Sequence, residues 1–191
     1  MKQNINLFNL FNVLFILFSL STVLAENKKS HRHHEAHVHG AAELSIAFDQ
    51  LNGKIEFKAA SEGILGFEHQ PQTEKEKKAL QETVELFEKN ISSWIQLDSS
   101  LGCVWTKENI GMISEKSDKA DSEKSGKKHQ GEHSNFVANM NVVCKKDIKN
   151  SKVTFDFKQL KRLKDIDVTV LVGEFQKSFE IKGRAVTIEL K

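Results

Sequence analysis

The stretch AAELSIAFDQLNGKIEFKAA, residues 41–60, decides the fold. Ala42, Leu44, Ile46 and Phe48 fall on one side of a period-two alternation, with Glu43, Ser45 and Asp49 on the other, the pattern of a half-buried strand. Asn52-Gly53 supplies residues that tolerate positive φ, and Ile55, Phe57 and Ala59 then resume the apolar face. Two alternating runs around such a dipeptide predict a β-hairpin with its turn at Asn52-Gly53.

Toward the N-terminus the hairpin is preceded by HRHHEAHVHGAAEL, residues 31–44, which holds five of the eight histidines: His31, His33, His34, His37 and His39. Imidazole suits zinc, copper and nickel, and clustered histidines point to metal binding. If the first strand continues backwards, His37 and His39 share the face of Glu43, because residues i and i+2 of a strand point the same way. They would supply two of the three or four ligands that zinc takes. A third would come from Glu68 or His69, or from His133. His33 and His34 are further candidates in the tail, as are His129 and His133, spaced i and i+4, in a later insertion. The competing reading is that these are exposed polar residues at a frayed terminus.

Residues 1–25 read as a signal peptide: Lys2, a mostly apolar Leu7–Leu24, and Val23-Leu24-Ala25 at the cleavage position. A membrane anchor is the alternative, since the run is long for a signal. No cysteine follows it, which excludes a lipoprotein anchor. Residues 26–36 are polar and expected to form a flexible His-rich tail. The remaining residues, 37–191, are expected to form one domain. A net charge of +2 offers no footprint for nucleic acid. After cleavage no later stretch is apolar enough to act as a membrane anchor.

Thr73 and Glu76 form a capping box, and Leu80, Val84, Phe87 and Ile91 follow at helical spacing, predicting one long helix. The loop before it, GILGFEHQP at Gly63–Pro71, reads as turn-rich. Short strands are expected at Trp94–Leu97, Leu101–Thr106, Phe136–Cys144, Val153–Phe157, Val168–Val172, Phe179–Ile181 and Val186–Leu190, with a helical turn at Gln159–Lys164. The fold class is α+β, mainly β: an antiparallel sheet or sandwich with one long helix. Between strands, residues 114–134 contain no large apolar side chain and are expected to be a mobile insertion. Cys103 and Cys144 flank it. In an exported chain the pair reads as a disulfide tying the base of the insertion, against a thiolate metal site or redox pair.

Catalysis has little support. There is no G-x-S-x-G elbow, HExxH, P-loop or dinucleotide fingerprint. A metal-dependent hydrolase would need an open coordination position and an acid–base group beside His37, His39 and His69.

Three features together, HVHGAAEL at His37–Leu44, LGFEHQP at Leu65–Pro71 and the cysteine-flanked polar insertion, resemble the zinc-regulated periplasmic proteins of Gram-negative bacteria (ZrgA-like). The resemblance implies a periplasmic zinc-binding accessory protein, expressed when zinc is scarce, that assists a zinc ABC importer and its substrate-binding component. By position it points to His37, His39, Glu68 and His69. In that family the insertion is often a long His/Asp/Glu tract; here it carries only His129 and His133 among many lysines. The expectation is therefore a zinc protein, with copper and nickel open as cargo. The alternative is a non-catalytic adaptor with incidental histidines.

Overall fold

A computed structural model of the chain describes residues 40–114 and 133–191. The expected signal peptide, the tail, His31, His33, His34, His37, His39 and His129 lie outside these residues.

The hairpin forms in the register that its alternation requires. Strand β1 (Ala41–Asp49) pairs antiparallel with β2 (Asn52–Ala60), with Leu44 opposite Phe57 and Ile46 opposite Ile55, all buried. The turn is displaced from its expected place. Asp49 already pairs with Asn52, so the two-residue loop is Gln50-Leu51, with Gln50 at a φ of 52°. Gly53 has another reason to be glycine: the Phe48 ring lies flat over it, and a Cβ there would fall 2.4 Å from that ring.

The hairpin is the centre of a six-stranded sheet in the order β4-β5-β2-β1-β7-β8. Its other members are β4 (Val104–Ser114), β5 (Ser134–Val143), β7 (Asp165–Val172) and β8 (Phe175–Ile181). The sheet is mixed rather than antiparallel throughout, because β1 and β7 run parallel, with Leu44 beside Val168 and Ile46 beside Val170. One face is apolar, formed by alternate residues of β1, β2, β5 and β7. Two elements cover it. Helix α2 (Glu74–Trp94) sets Phe87 against Phe57 and Phe136, at centroid distances of 5.2 and 4.8 Å. A three-stranded sheet of β3 (Ile95–Leu97), β6 (Lys152–Phe155) and β9 (Val186–Glu189) sets Phe155 against Phe179 of β8. The class is therefore α+β, mainly β, with two layers around one core.

Helix α2 begins with the expected capping box, in which Thr73 accepts from the Glu76 amide and Glu76 accepts from the Thr73 amide. Its buried residues are Phe87, Ile91 and Trp94, with Leu80 and Val84 partly buried beside them. Ser61–Leu65 is a short helix, α1, which takes in the first three residues of the connection expected to be turn-rich, Gly63–Pro71. Gln159–Lys164, expected as one helical turn, forms successive turns, closed by the Leu160 and Leu163 amides on the Phe157 and Leu160 carbonyls. The strand expected at Leu101–Thr106 instead spans Val104–Ser114, and Leu101 ends a 3-10 turn capped by Asp98.

Cys103 and Cys144 are bonded, with the sulfurs 2.06 Å apart. The disulfide closes the hairpin that carries the insertion, but at its open end. Val104 pairs with Val143 beside the bridge, and Ser114 pairs with Ser134 at the far end, where residues 115–132 depart. The strand rise places these ends about 30 Å apart. Among the described residues no helix is long and apolar enough to cross a membrane.

Candidate metal centre

The far rim of the large sheet collects the described site residues. At this rim β1 and β7 begin, β2 and β4 end, and β5 starts. Gly40, the residue before β1, is buried there. Its carbonyl accepts from the Lys164 amide at 2.7 Å, and a Cβ on it would sit 3.3 Å from the Arg162 carbonyl oxygen. Its φ of 88° lies in the left-handed region that suits glycine, and β1 begins at the next residue, Ala41.

The loop after α1 lies across the ends of β4 and β5. Gln70 donates to Ser114 Oγ at 2.8 Å. The Ser134 hydroxyl donates to the Glu68 carbonyl oxygen and lies 3.0 Å from Ser61 Oγ. Both serines are buried, at 0% and 4% exposure, and together they bolt the Glu68 backbone to the start of β5. Among the described residues no buried polar side-chain atom lacks a hydrogen-bond partner.

That bolt brings the Glu68 side chain to His133, the residue before Ser134. His133 Nδ1 donates to Glu68 Oε2 at 2.8 Å, joining residues 65 apart in sequence. With Nδ1 carrying the proton, Nε2 of a neutral ring keeps its lone pair, which is the form that ligates a metal.

His69 takes a different course. Its ring packs on Phe67 at a centroid distance of 5.5 Å, and its Nε2 lies 3.1 Å from Glu76 Oε1. The two neighbours that the sequence singled out, Glu68 and His69, therefore engage different elements: Glu68 joins β5, and His69 joins the start of α2. The Glu76 carboxylate also accepts from the Thr73 and Gln72 amides, each at 2.9 Å. These backbone donors, Thr73 first, hold its pKa down to about 2. Among the described residues no three His, Cys, Asp or Glu side chains lie close enough to share an ion. Glu68 and His133 form a pair, and a complete site needs donors from beyond them.

A family profile described as "ZrgA family zinc uptake protein" matches residues 36–190. The chain belongs to the ZrgA family. Zinc uptake is therefore the process it serves, and this is not an enzyme family. No curated protein gave a significant match to the sequence. The profile spans the His37–Leu44 and Leu65–Pro71 motifs, so the ZrgA assignment covers both. Sequence reading missed Ser61, Ser134 and the second role of Glu76. A buried serine carries no signal in one dimension, and Glu76 is visible there only as a helix cap.

Proposed function

We propose that this protein is an exported, periplasmic zinc-capture protein that holds zinc at the sheet rim and passes it to the substrate-binding component of a zinc ABC importer. His133 Nε2, His37 and His39 are the ligands. The observation that carries this reading is the His133–Glu68 hydrogen bond at 2.8 Å, because metal-ligating histidines characteristically give their other ring N–H to a carboxylate. Reach supports it too. Gly40 precedes β1, two strands from β5, which is about 10 Å at ordinary strand spacing. Residues 37 and 39 are at most three residues from Gly40, and three residues of chain span about 10 Å. The leader and the zinc-uptake family support export and cargo. Imidazole must be neutral to ligate, so capture weakens as pH falls through the ordinary histidine range near 6.5.

Calorimetric zinc titration of the chain from Glu26, beside one beginning at Ala41, tests the proposal, with copper and nickel titrated in parallel. The longer chain is expected to bind with sub-micromolar affinity and the shorter one to lose that site. Equal binding by both would remove His37 and His39 from the site, and no binding by either would end the zinc-capture reading. The adaptor reading draws on the lack of a three-donor cluster among the described residues. It predicts unchanged zinc stoichiometry after replacing His37 and His39 with Ala. Capture of the importer's binding component by the zinc-loaded protein, but not by the metal-free protein, tests delivery.

A further inference from the structure

Glu68 stands beside His133, and two roles are open to a carboxylate there: ligand, or orienter of the ligand. We propose that Glu68 is a positioning residue, which holds His133 by Nδ1 so that Nε2 is the nitrogen offered to zinc, and that the buried Ser61–Ser134 pair holds Glu68 in that role. The inference rests on the zinc-capture reading and goes beyond it, because it takes an anionic oxygen out of the coordination sphere.

Three observations carry it. The contact is made through Nδ1, the nitrogen nearer the backbone, so the ring's far nitrogen is directed away from Glu68. The carboxylate is the deeper of the two groups: the Glu68 side chain is 24% exposed and the His133 side chain 56%. The imidazole is therefore the more accessible of the two groups. Finally, Glu68 is fixed at its backbone by a hydroxyl chain that is itself shut away from water, running from Ser61 through Ser134 to the Glu68 carbonyl. A backbone anchored by buried neighbours suits a residue whose task is to hold another side chain still.

The roles predict different responses to Glu68→Gln. The Gln amide oxygen still accepts from Nδ1–H, but it is no longer an anionic ligand. The test uses the exported chain recovered after natural processing, with zinc as the probe. If Glu68 positions His133, E68Q keeps zinc affinity within about ten-fold of the parent, while Glu68→Ala loses about 10–100-fold, the range for an orienting partner. Ring-nitrogen NMR of the metal-free protein is expected to show His133 protonated on Nδ1 in the parent and E68Q, and a mixture of tautomers in E68A. Ser134→Ala is expected to shift toward that mixture and to weaken zinc several-fold while circular dichroism stays native. Equal affinity loss in E68Q and E68A would overturn the inference, as would His133 protonated on Nε2 in the parent. These two variants decide the matter even if S134A does not fold. A parent that binds no zinc would refute the functional reading instead, so the two failures are distinguishable.

Discussion

Removing the disulfide should separate stability from zinc capture. Cys103 and Cys144 are 41 residues apart in sequence. In the chain-entropy treatment, a cross-link closing a loop of that size stabilises the folded state by about 4 kcal/mol through the unfolded ensemble. For a domain of this length that is a fall in Tm of about 8–16 °C. The bridge lies at the open end of the β4–β5 hairpin, while Glu68 and His133 meet at the other, about 30 Å away by strand rise. Local hydrogen bonds keep the bridge end in register without the sulfurs: the Cys144 amide donates to the Leu51 carbonyl at 2.8 Å, and the Lys145 amide to the Leu101 carbonyl at 2.9 Å. Cys103→Ala/Cys144→Ala should therefore unfold at lower urea with an otherwise cooperative transition. Its zinc affinity, measured well below the midpoint, should match the parent. A stability change under about 1 kcal/mol would refute the entropic account. Zinc affinity falling ten-fold in folded protein would refute the separation of the two ends.

Glu76 predicts an acid limit for the start of α2. Its folded pKa of about 2 lies below its ordinary value of 4.5, so its stabilising contribution is full above about 4.5 and is lost as pH falls toward 2. The parent's Tm should drop across that window more steeply than that of Glu76→Gln, and parallel curves would refute the link. Phe87→Ala removes a fully buried ring that meets Phe57, Phe136 and Trp94, and should cost about 3–5 kcal/mol in urea unfolding. A loss below 1 kcal/mol would mean that the helix does not seat on the sheet this way. Gly53→Ala should cost about 1–3 kcal/mol by driving a methyl group into the Phe48 ring. In a Phe48→Leu background that cost should shrink, and equal costs in both backgrounds would place the strain elsewhere.

The local elements were legible because their causes are local. The alternation from Ala42 to Ala59 predicts the hairpin, since burial on one face demands period two. Thr73 and Glu76 mark the start of α2, since the capping box joins residues three apart. The disulfide was expected because the chain reads as exported and carries just two cysteines. The turn was misplaced because Asn52-Gly53 is a good turn dipeptide, whereas Gly53 is needed for the space beneath Phe48, a fact of packing.

Chemistry-bearing residue types are also visible in one dimension, so His133, Glu68 and His69 could be named as candidates. Which of them meet depends on contacts between residues 65 apart, and only the tertiary structure decided that. It sent neighbouring residues to different partners, Glu68 to His133 and His69 to Glu76. It also put β1 beside β7 in parallel, although sequence pattern alone carries no strand order. Side-chain type and short-range periodicity belong to the chain itself. Register between distant strands, and with it the rim where Gly40, Ser134 and Glu68 converge, is set by closing one apolar core over all of them.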